Sequence, residues 1–291
     1  MIRRTTRLKT MIAEAAPVTA PLVLNPLMAV LAQEAGFQAL YLGGGASGYQ
    51  NTHLEAHLTV TEMARAGTEL LSAVDLPLIL DGAAGWGDPM HMRRTISLTE
   101  AAGFAAIEIE DQWLPKRAHH HVGLEHMVPM EIMTAKVEEA TRARIDPDFL
   151  IVARTNAVRA SNMDDALRRV EAYKRAGADL LLLSPRNAEE ARFIGERAEG
   201  PLMLLASKGG VSNFDMTPQE LADCGWKLLV DPTTPLLAAV LAWKQVYAEL
   251  ADGFAAPSRS PEDWAAVEKD IHKAINIERL LDIERRTVEK P

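Results

Sequence analysis

Residues 102–111, Ala-Gly-Phe-Ala-Ala-Ile-Glu-Ile-Glu-Asp, contain the unit that decides the fold. Gly103 is typical of the end of a helix, and the largely apolar run from Ala106 to Glu110 is typical of a short buried strand. Two adjacent carboxylates, Glu110 and Asp111, close this strand. Carboxylates at the exit of a buried strand cost desolvation free energy unless a metal ion or another cation neutralises them. We therefore interpret this strand end as the edge of an active site.

The same unit recurs along the chain. Eight short apolar segments are separated, in nearly every interval, by a segment with helical periodicity. The predicted strands are Leu22–Leu24, Ala39–Leu42, Leu78–Leu80, Ala106–Glu110, Phe149–Ala153, Leu180–Leu183, Leu202–Leu205 and Leu228–Val230. Odd-numbered strands follow a proline and even-numbered strands follow a helix-ending glycine, which indicates a repeat of two βα units. Eight units predict an α/β fold, a (β/α)8 barrel of the TIM type, with its site at the carboxyl ends of the strands.

A doubly wound open sheet is the main alternative fold. It is disfavoured because no Gly-x-Gly-x-x-Gly follows the first predicted strand, and because eight units close a barrel naturally. The glycines Gly43, Gly44 and Gly45 do follow the second strand. They form either a tight turn or a place where backbone N–H groups face an anion.

Composition limits the classes of function. The chain has 291 residues, of which 48% are hydrophobic and 24% charged, as in an ordinary globular protein. A net charge of -9 argues against nonspecific nucleic-acid binding, and no apolar run is long enough to cross a membrane. The single cysteine, Cys224, excludes an internal disulfide and a cysteine-based zinc site. The basic start lacks a signal peptide's apolar segment; its arginines leave a transit peptide open, and we expect a cytoplasmic protein.

Residues 255–261, Ala-Ala-Pro-Ser-Arg-Ser-Pro, predict a linker. The linker separates a barrel domain, residues 1–254, from a C-terminal part, residues 255–291, in which we predict one extra amphipathic helix. Its apolar stripe consists of Trp264, Val267, Ile271, Ala274, Ile277 and Leu281. Such a stripe packs either on its own barrel or on a neighbouring subunit. We predict the second, in a homo-oligomer.

Polar side chains follow three consecutive predicted strands. Asp81 follows the third strand, Glu110 ends the fourth and Arg154 follows the fifth. Acids on two neighbouring strands can hold Mg²⁺, directly or through water, and leave positions for substrate oxygens. Arg154 can bind a substrate carboxylate through two parallel hydrogen bonds. Each residue also has a structural alternative, because Asp81 can cap a turn and Glu110 can pair with Arg154.

Residues 116–121, Lys-Arg-Ala-His-His-His, predict a basic loop beside these acids, which suits an anionic substrate. Three adjacent histidines rarely all bind one metal, because consecutive side chains point in different directions. A single histidine suits general acid–base catalysis at neutral pH. A solvated polar loop is the alternative.

Four motifs, in combination and order, resemble the isocitrate lyase/phosphoenolpyruvate mutase superfamily over almost the whole chain. They are Tyr41-Leu42-Gly43-Gly44-Gly45, Asp81-Gly82-Ala83-Ala84-Gly85-Trp86-Gly87, Ile109-Glu110-Asp111-Gln112 with Pro115-Lys116-Arg117, and Asp146-Pro147-Asp148-Phe149 leading to Ala153-Arg154-Thr155-Asn156-Ala157. The resemblance implies a barrel that depends on Mg²⁺ (or Mn²⁺). It further implies that a C–C or C–P bond beside a 2-oxo acid is made or broken through an enolate.

The resemblance also implies roles for the strand-end residues. Asp81 would be the main metal ligand, and Glu110 would be a second acid that acts through water. Glu55 matches, less securely, a further acid of the family. Arg154 would bind the substrate's carboxylate or leaving fragment. The backbone N–H groups that would face the ligand belong to Gly44, Gly45 and Ala46.

The basic loop matches the family's mobile gate. The resemblance implies that the segment from Lys116 to His121 closes over the substrate. We predict that Lys116 and His120 of this gate are catalytic residues. The terminal helix of the family is often swapped between subunits. We therefore expect a homotetramer, a dimer of swapped-helix dimers.

Three residues depart from the family pattern. Ala118 stands where the family's lyases carry a proton-donating cysteine, Ala83 replaces the second acid of an Asp-x-Asp motif, and Ser184 lies near a glutamate position. Ala118 cannot transfer a proton, which argues against isocitrate and methylisocitrate lyase activity, and Ala83 removes one carboxylate from the metal site. We predict cleavage of a small 2-oxo or 2-hydroxy dicarboxylic acid, by decarboxylation or C–C lysis, with an oxaloacetate-decarboxylase-like activity as the best fit. His120 or a neighbouring histidine would protonate the enolate. C–P chemistry on a phosphonopyruvate-type substrate, or ligand binding without catalysis, are the alternatives.

Overall fold

The computed structural model describes residues 2–208, 210–254 and 258–289, apart from the side chain of His121. The chain divides into two compact units, Met1–Leu236 and Leu237–Pro291. Within the described residues, no helix is long and apolar enough to cross a membrane.

Eight parallel strands form one sheet in the first unit, in the order β1-β8-β7-β6-β5-β4-β3-β2. The strands are β1 (Val18–Pro21), β2 (Leu40–Leu42), β3 (Leu78–Asp81), β4 (Ala106–Glu110), β5 (Leu150–Arg154), β6 (Leu180–Leu182), β7 (Leu202–Leu205) and β8 (Trp226–Asp231). An isolated bridge between Leu22 and Tyr41 links the ends of β1 and β2, so the barrel is nearly closed. The predicted (β/α)8 fold of the TIM type is confirmed.

Helices alternate with the strands. They are α1 (Arg4–Ala13), α2 (Pro26–Glu34), α3 (Gly44–Gln50), α4 (Val60–Ala73), α5 (Met92–Ala101), α6 (Met130–Ala143), α7 (Ala157–Ala160), α8 (Met163–Arg175), α9 (Ala188–Arg197), α10 (Pro218–Asp223) and α11 (Thr234–Ala251). Local side chains fix where several of them begin: Thr59 accepts a hydrogen bond from the Glu62 N–H, and Glu62 accepts one from the Thr59 N–H. This reciprocal pair satisfies two backbone donors that the first turn of α4 would otherwise leave open.

The first predicted strand is wrong in position. The strand runs from Val18 to Pro21 and pairs with β8, whereas the prediction began after Pro21, at Leu22. Leu22 and Val23 are as buried as the strand itself, so the apolar pattern continues past the strand's end. Hydrophobicity alone therefore cannot mark where β1 stops.

Side chains of the strands alternate between the barrel interior and the layer beneath the helices. In β4, Ala106 belongs to the interior cluster, whereas Ile107 and Ile109 belong to the outer core. Helix α1 adds Leu8 and Ile12 to the interior cluster. The helix is tethered by ion pairs to the loop before β5, so it lies at the amino ends of the strands. The carboxyl ends of the strands, at the opposite end of the barrel, are therefore available for the candidate site.

The described part of the second unit beyond residue 257 forms two helices, α12 (Pro261–Ala274) and α13 (Ile277–Thr287), rather than one. Asn276 separates them with a left-handed φ of 55°. Trp264, Val267 and Ile271 of the predicted stripe are 41–52% exposed. The predicted linker falls partly on residues 255–257, outside the described residues. The division at residue 254 and the swapped packing stay predictions.

Candidate active site

The predicted acids and the arginine meet at the carboxyl ends of three neighbouring strands. Asp81 ends β3, Glu110 ends β4 and Arg154 ends β5. Glu110 and Arg154 are direct partners in the pairing of β4 with β5. All three alternate in step with interior residues of their own strands, so their side chains belong to the barrel interior.

Asp81 is held by backbone donors. Its Oδ2 accepts a hydrogen bond from the Gly44 N–H at 2.9 Å, and its Oδ1 accepts one from the Ala83 N–H at 3.0 Å. Ala83 has a left-handed φ of 47°. The same residue's carbonyl accepts the Glu110 N–H at 2.8 Å, so it joins the ends of β3 and β4.

The Gly44 N–H therefore contacts Asp81, although the sequence suggested a contact with the ligand. A side chain has no room at Gly44, because a Cβ there would lie 2.8 Å from the Glu55 Cγ. Gly45 faces open space, and Ala46 is buried against Leu22. The ligand-facing role of Gly45 and Ala46 stays a prediction.

Lys116 is the cation at the centre of the site. Its Nζ donates to the Glu55 Oε2 at 2.8 Å and also to the Glu110 Oε1, and the lysine side chain is only 3% exposed. The Glu110 Oε2 accepts a hydrogen bond from the Asn156 Nδ2 at 3.0 Å and lies 3.4 Å from the Arg154 Nε. The structure thus brings four sequence candidates together, Glu55, Glu110, Lys116 and Arg154.

The pKa values of Glu55 and Glu110, the two glutamates that contact Lys116, are shifted in opposite directions. Burial alone would raise the pKa of Glu110, but the charges of Lys116 and Arg154 lower it below its usual value. Burial and the charge of Asp81 raise the pKa of Glu55 to about 8, against the pull of Lys116. Burial would lower the pKa of Lys116, but Glu110 and Glu55 raise it. Lys116 therefore stays charged, and Glu110 is the firmly ionised acid of the pair.

A second buried network lies inside the barrel, and our sequence analysis missed it. Glu108 accepts hydrogen bonds from the Arg154 Nη1 and from the Tyr41 Oη, both at 2.8 Å. Burial and the charge of Asp81 raise the pKa of Glu108 to about 7. The period-two pattern contains the signal: Glu108 lies two residues before Glu110 and so faces the same interior.

Asp111 belongs to a different network, on the other side of the β4 end. It is fully buried and accepts hydrogen bonds from the Thr155 Oγ1 at 2.7 Å, the Tyr173 Oη at 3.0 Å and the Arg169 Nη1 at 3.1 Å. Of the two adjacent carboxylates that end this strand, only Glu110 therefore reaches the cluster of candidates. Asp111 ties β4 to α8.

Replacing Asp111 with Asn is expected to lower the free energy of unfolding by about 3 kcal/mol, because a buried charged hydrogen-bond network loses one partner. Urea unfolding monitored by circular dichroism measures this change. Asp165→Asn, which removes the more exposed partner of Arg169, is the matched control and should cost about 1 kcal/mol or less. Equal losses in the two variants would contradict the structural role of Asp111.

The basic loop lies within a segment that leaves the barrel and returns to it. The gate, defined here as residues 111–128, is closed at its base by hydrogen bonds from the Val128 N–H to the Asp111 carbonyl and from the Trp113 N–H to the His126 carbonyl, both 2.8 Å. Its centre is a short 3₁₀ helix, Ala118–Val122. Lys116 is thus the gate residue that forms ion pairs with Glu55 and Glu110.

His120 lies in this gate close to the acids. Its Nδ1 is 2.8 Å from Glu125 and 2.7 Å from the Gln112 Nε2, contacts that orient the ring. A charge on His120 contributes to the lowering of the Glu110 pKa. Ala118, at the cysteine position of the family's lyases, is exposed.

The residues present fit a divalent cation with oxygen ligands. The cluster contains four buried carboxylates and two cations. When every acid is ionised, it therefore lacks two positive charges. The acids are Asp81, Glu55, Glu108 and Glu110, and the cations are Lys116 and Arg154. The Glu55 Oε1 is buried and has no hydrogen-bond partner. Among the described residues, no three His, Cys, Asp or Glu side chains form a ready-made ligand set. Mg²⁺ commonly uses only one or two carboxylates, with water and substrate as its other ligands.

Comparison with known proteins gives the family. A sequence model of the phosphoenolpyruvate phosphomutase family matches residues 8–251. The chain is 34% identical over 238 residues to 2,3-dimethylmalate lyase of Eubacterium barkeri, covering 80% of this chain and 81% of that one. It is 34% identical over 235 residues to 2-methylisocitrate lyase of Aeropyrum pernix, covering 80% and 75%.

A solved structure of phosphonopyruvate hydrolase with oxalate and Mg²⁺ has a TM-score of 0.83 and 25% identity, covering 99% of this chain and all of that one. The chain belongs to the phosphoenolpyruvate mutase/isocitrate lyase superfamily, whose members named here are lyases, phosphomutases and a hydrolase.

Proposed function

We propose that the protein cleaves a small 2-oxo or 2-hydroxy dicarboxylic acid through an enolate, with a divalent cation, Mg²⁺ or Mn²⁺, as cofactor. The observation that carries the proposal is the convergence of Asp81, Glu110, Lys116 and Arg154 at three neighbouring strand ends. The relatives 2,3-dimethylmalate lyase and 2-methylisocitrate lyase support carbon–carbon cleavage of a small carboxylic acid. Among such reactions we favour decarboxylation of an oxaloacetate-like acid, because it does not require the gate cysteine that Ala118 replaces.

Asp81, with Glu110 and Glu55 beside it, would hold the cation. When bound, this cation supplies a concentrated positive charge opposite the oxygens of a 2-oxo acid. Asp81 is suited to be the direct ligand, because two backbone N–H groups already fix its carboxylate. Glu110 contacts Lys116, Arg154 and Asn156, so it is suited to act through water.

Arg154 would bind the substrate's carboxylate. A guanidinium has five N–H donors, and the protein's own contacts from Arg154 to Glu108 and Asn156 use three of them. One donor on each terminal nitrogen is left, the arrangement that binds a carboxylate through two parallel bonds.

His120 would deliver the proton. When the C–C bond breaks and CO2 leaves, its electron pair passes into the enolate, and the adjacent carbon then takes up one proton. Glu125 lies 2.8 Å from the His120 Nδ1, which fixes the direction of the ring, and an imidazole is suited to general acid catalysis near neutral pH.

The direct test is to incubate the protein with oxaloacetate, 2-methylisocitrate and 2,3-dimethylmalate, each with Mg²⁺ and with a chelator. We expect pyruvate and CO2 from oxaloacetate, faster than the spontaneous reaction, and only with the divalent ion present. Consumption of none of the three acids would overturn the proposal.

Arg154→Lys is expected to reduce kcat/KM by about a hundredfold, because lysine cannot form the two parallel bonds that the guanidinium offers. Initial rates over a range of substrate concentrations measure the change. Arg159→Lys, the same substitution at an exposed position of α7, is the control and should leave kcat/KM within about twofold. Equal rates in the two variants would remove Arg154 from the substrate site.

Two other functions have specific support. The structural similarity to phosphonopyruvate hydrolase favours a C–P substrate as the second candidate, and a ³¹P spectrum of phosphonopyruvate that stays constant with the protein would remove it. A ligand-binding relative without catalysis is favoured by Ala83, Ala118 and Ser184. Oxalate that binds with Mg²⁺ in calorimetry, while none of the acids is consumed, would support that third candidate.

For the assembly, we propose a homo-oligomer in which the C-terminal helices pack on a neighbouring subunit, as a dimer of swapped-helix dimers. On α12 the apolar side chains of Trp264, Val267 and Ile271 are about half exposed. Ile271→Asp is expected to reduce the mass measured by light scattering, because an interface would have to bury the new charge. Lys269→Asp on the same helix is the control, and an unchanged mass in both variants would contradict the swap.

A further inference from the structure

We propose a second metal site, in the gate, formed by the imidazoles of His119 and His126. The site would bind a late transition-metal ion such as Zn²⁺, Cu²⁺ or Ni²⁺. It shares no residue with the acid cluster of Asp81 and Glu110, and its binding does not depend on the proposed reaction.

The distance between the two rings is the first observation. The His119 Nδ1 and the His126 Nε2 share a hydrogen bond at 3.2 Å, and the ring centroids are 5.5 Å apart. Two nitrogens that bind one tetrahedral Zn²⁺ at about 2.05 Å each are separated by about 3.3 Å. The two nitrogens are therefore already at the separation that a shared ion requires.

The backbone of the gate holds this pair in place. His126 is fixed by the hydrogen bond from the Trp113 N–H to its carbonyl and by stacking of its ring on Trp113, with centroids 5.5 Å apart and planes 19° apart. His119 lies in the 3₁₀ helix, and its carbonyl accepts the Leu124 N–H at 3.0 Å. Stacking on Trp113 reduces the side-chain freedom that His126 would lose on binding, which favours affinity.

The chemistry of the donors selects the ion. Neutral imidazole nitrogen suits Zn²⁺, Cu²⁺ and Ni²⁺, whereas Mg²⁺ prefers oxygen. His119 is exposed, so water or an added carboxylate can complete the coordination. Among the side chains that the structure describes, which do not include that of His121, no third His, Cys, Asp or Glu forms a metal-binding group with this pair. His120 is oriented by Glu125 and is not one of the ligands proposed.

A bound ion would also cross-link the gate. It would connect the 3₁₀ helix to the returning part of the gate at His126, so the peptide bond after Arg117, an exposed residue, becomes harder for a protease to reach. Trypsin digestion with and without Zn²⁺ should show slower cleavage after Arg117 in the presence of the ion.

Electron paramagnetic resonance of Cu²⁺ on untagged protein, with excess Mg²⁺ present to saturate the acid cluster, tests the proposal. We expect coupling to two nitrogens in the parent, and to one or none in His119→Gln and in His126→Gln. Calorimetry should show that the parent binds Cu²⁺ more tightly than Ni²⁺ or Zn²⁺. In each of the two variants, the affinity for these ions should be lower by about tenfold or more. Cu²⁺ should quench parent fluorescence more than that of Trp113→Phe, because Trp113 stacks on His126.

His53→Gln is the matched control. His53 and His57 also form a ring pair, with centroids 5.6 Å apart and planes 57° apart, but they lie outside the gate. This variant should keep both the spectrum and the affinity of the parent. The proposal is overturned by a spectrum that is the same in the parent, His119→Gln and His126→Gln, or by a change in only one of those two variants.

Discussion

Asp81→Asn is expected to reduce kcat/KM by about a thousandfold and to remove measurable Mg²⁺ binding, with the fold retained. The substitution keeps the shape of the side chain but removes the negative charge that would face the cation. It also turns one of the two oxygens that accept the Gly44 and Ala83 N–H groups into a donor, so one of these hydrogen bonds is lost. That loss costs about 1–3 kcal/mol, which a barrel of this size tolerates. Rates with oxaloacetate and Mg²⁺ calorimetry measure the two effects.

Asp88→Asn is the matched control for Asp81. Asp88 is an exposed residue in the loop that follows β3, and the same change there should leave rate and Mg²⁺ affinity within about twofold. A rate in Asp81→Asn equal to that of the control would remove Asp81 from the reaction. Lost Mg²⁺ binding with an unchanged rate would mean that the cation is bound but not used.

The strand ends could be predicted because a parallel barrel brings them together whatever the loops do. Asp81, Glu110 and Arg154 each close an apolar run, and periodicity finds such runs. The position of β1 could not be found in this way, because Leu22 and Val23 continue the apolar pattern beyond the last ladder pair.

The interior network was missed for a different reason. Tyr41 and Glu108 lie before the strand ends, where side chains of a barrel are usually apolar. Alternation along β4 places Glu108 with Glu110, but only the structure shows that Arg154 contacts both glutamates. The guanidinium is thus fixed by two acids before any substrate carboxylate binds, which lowers the entropy that binding must overcome.

The position of Lys116 could not be derived from sequence. Burial of a lysine requires the gate to fold back over the barrel, and that path depends on hydrogen bonds between residues far apart in the loop, such as Val128 with Asp111. From its sequence, a basic loop with three histidines is equally consistent with a loop that is exposed to solvent. Buried carboxylates need a nearby cation, which explains why the Lys116 ammonium lies between Glu55 and Glu110.

Lys116→Met is expected to lower the free energy of unfolding by about 3 kcal/mol in the presence of a chelator. Methionine fills a similar volume, but Glu55 and Glu110 then lose their shared cation. Removing one partner of a buried ion pair typically costs about 3–5 kcal/mol, and the remaining contacts of Glu110 with Arg154 and Asn156 place the loss at the lower end. Urea unfolding in the absence and presence of Mg²⁺ measures it.

Mg²⁺ should return most of the lost stability, because a ligand at about a hundred times its Kd adds about 2.7 kcal/mol to the folded state. The gain should be larger in Lys116→Met than in the parent, where the cation must compete with the ammonium for the same acids. Arg117→Met, at the exposed neighbouring position, is the control and should show a small loss and no additional response to Mg²⁺. If Mg²⁺ stabilises Lys116→Met no more than it stabilises the control, Glu55 and Glu110 do not serve the cation, and the acid cluster is a structural ion-pair network.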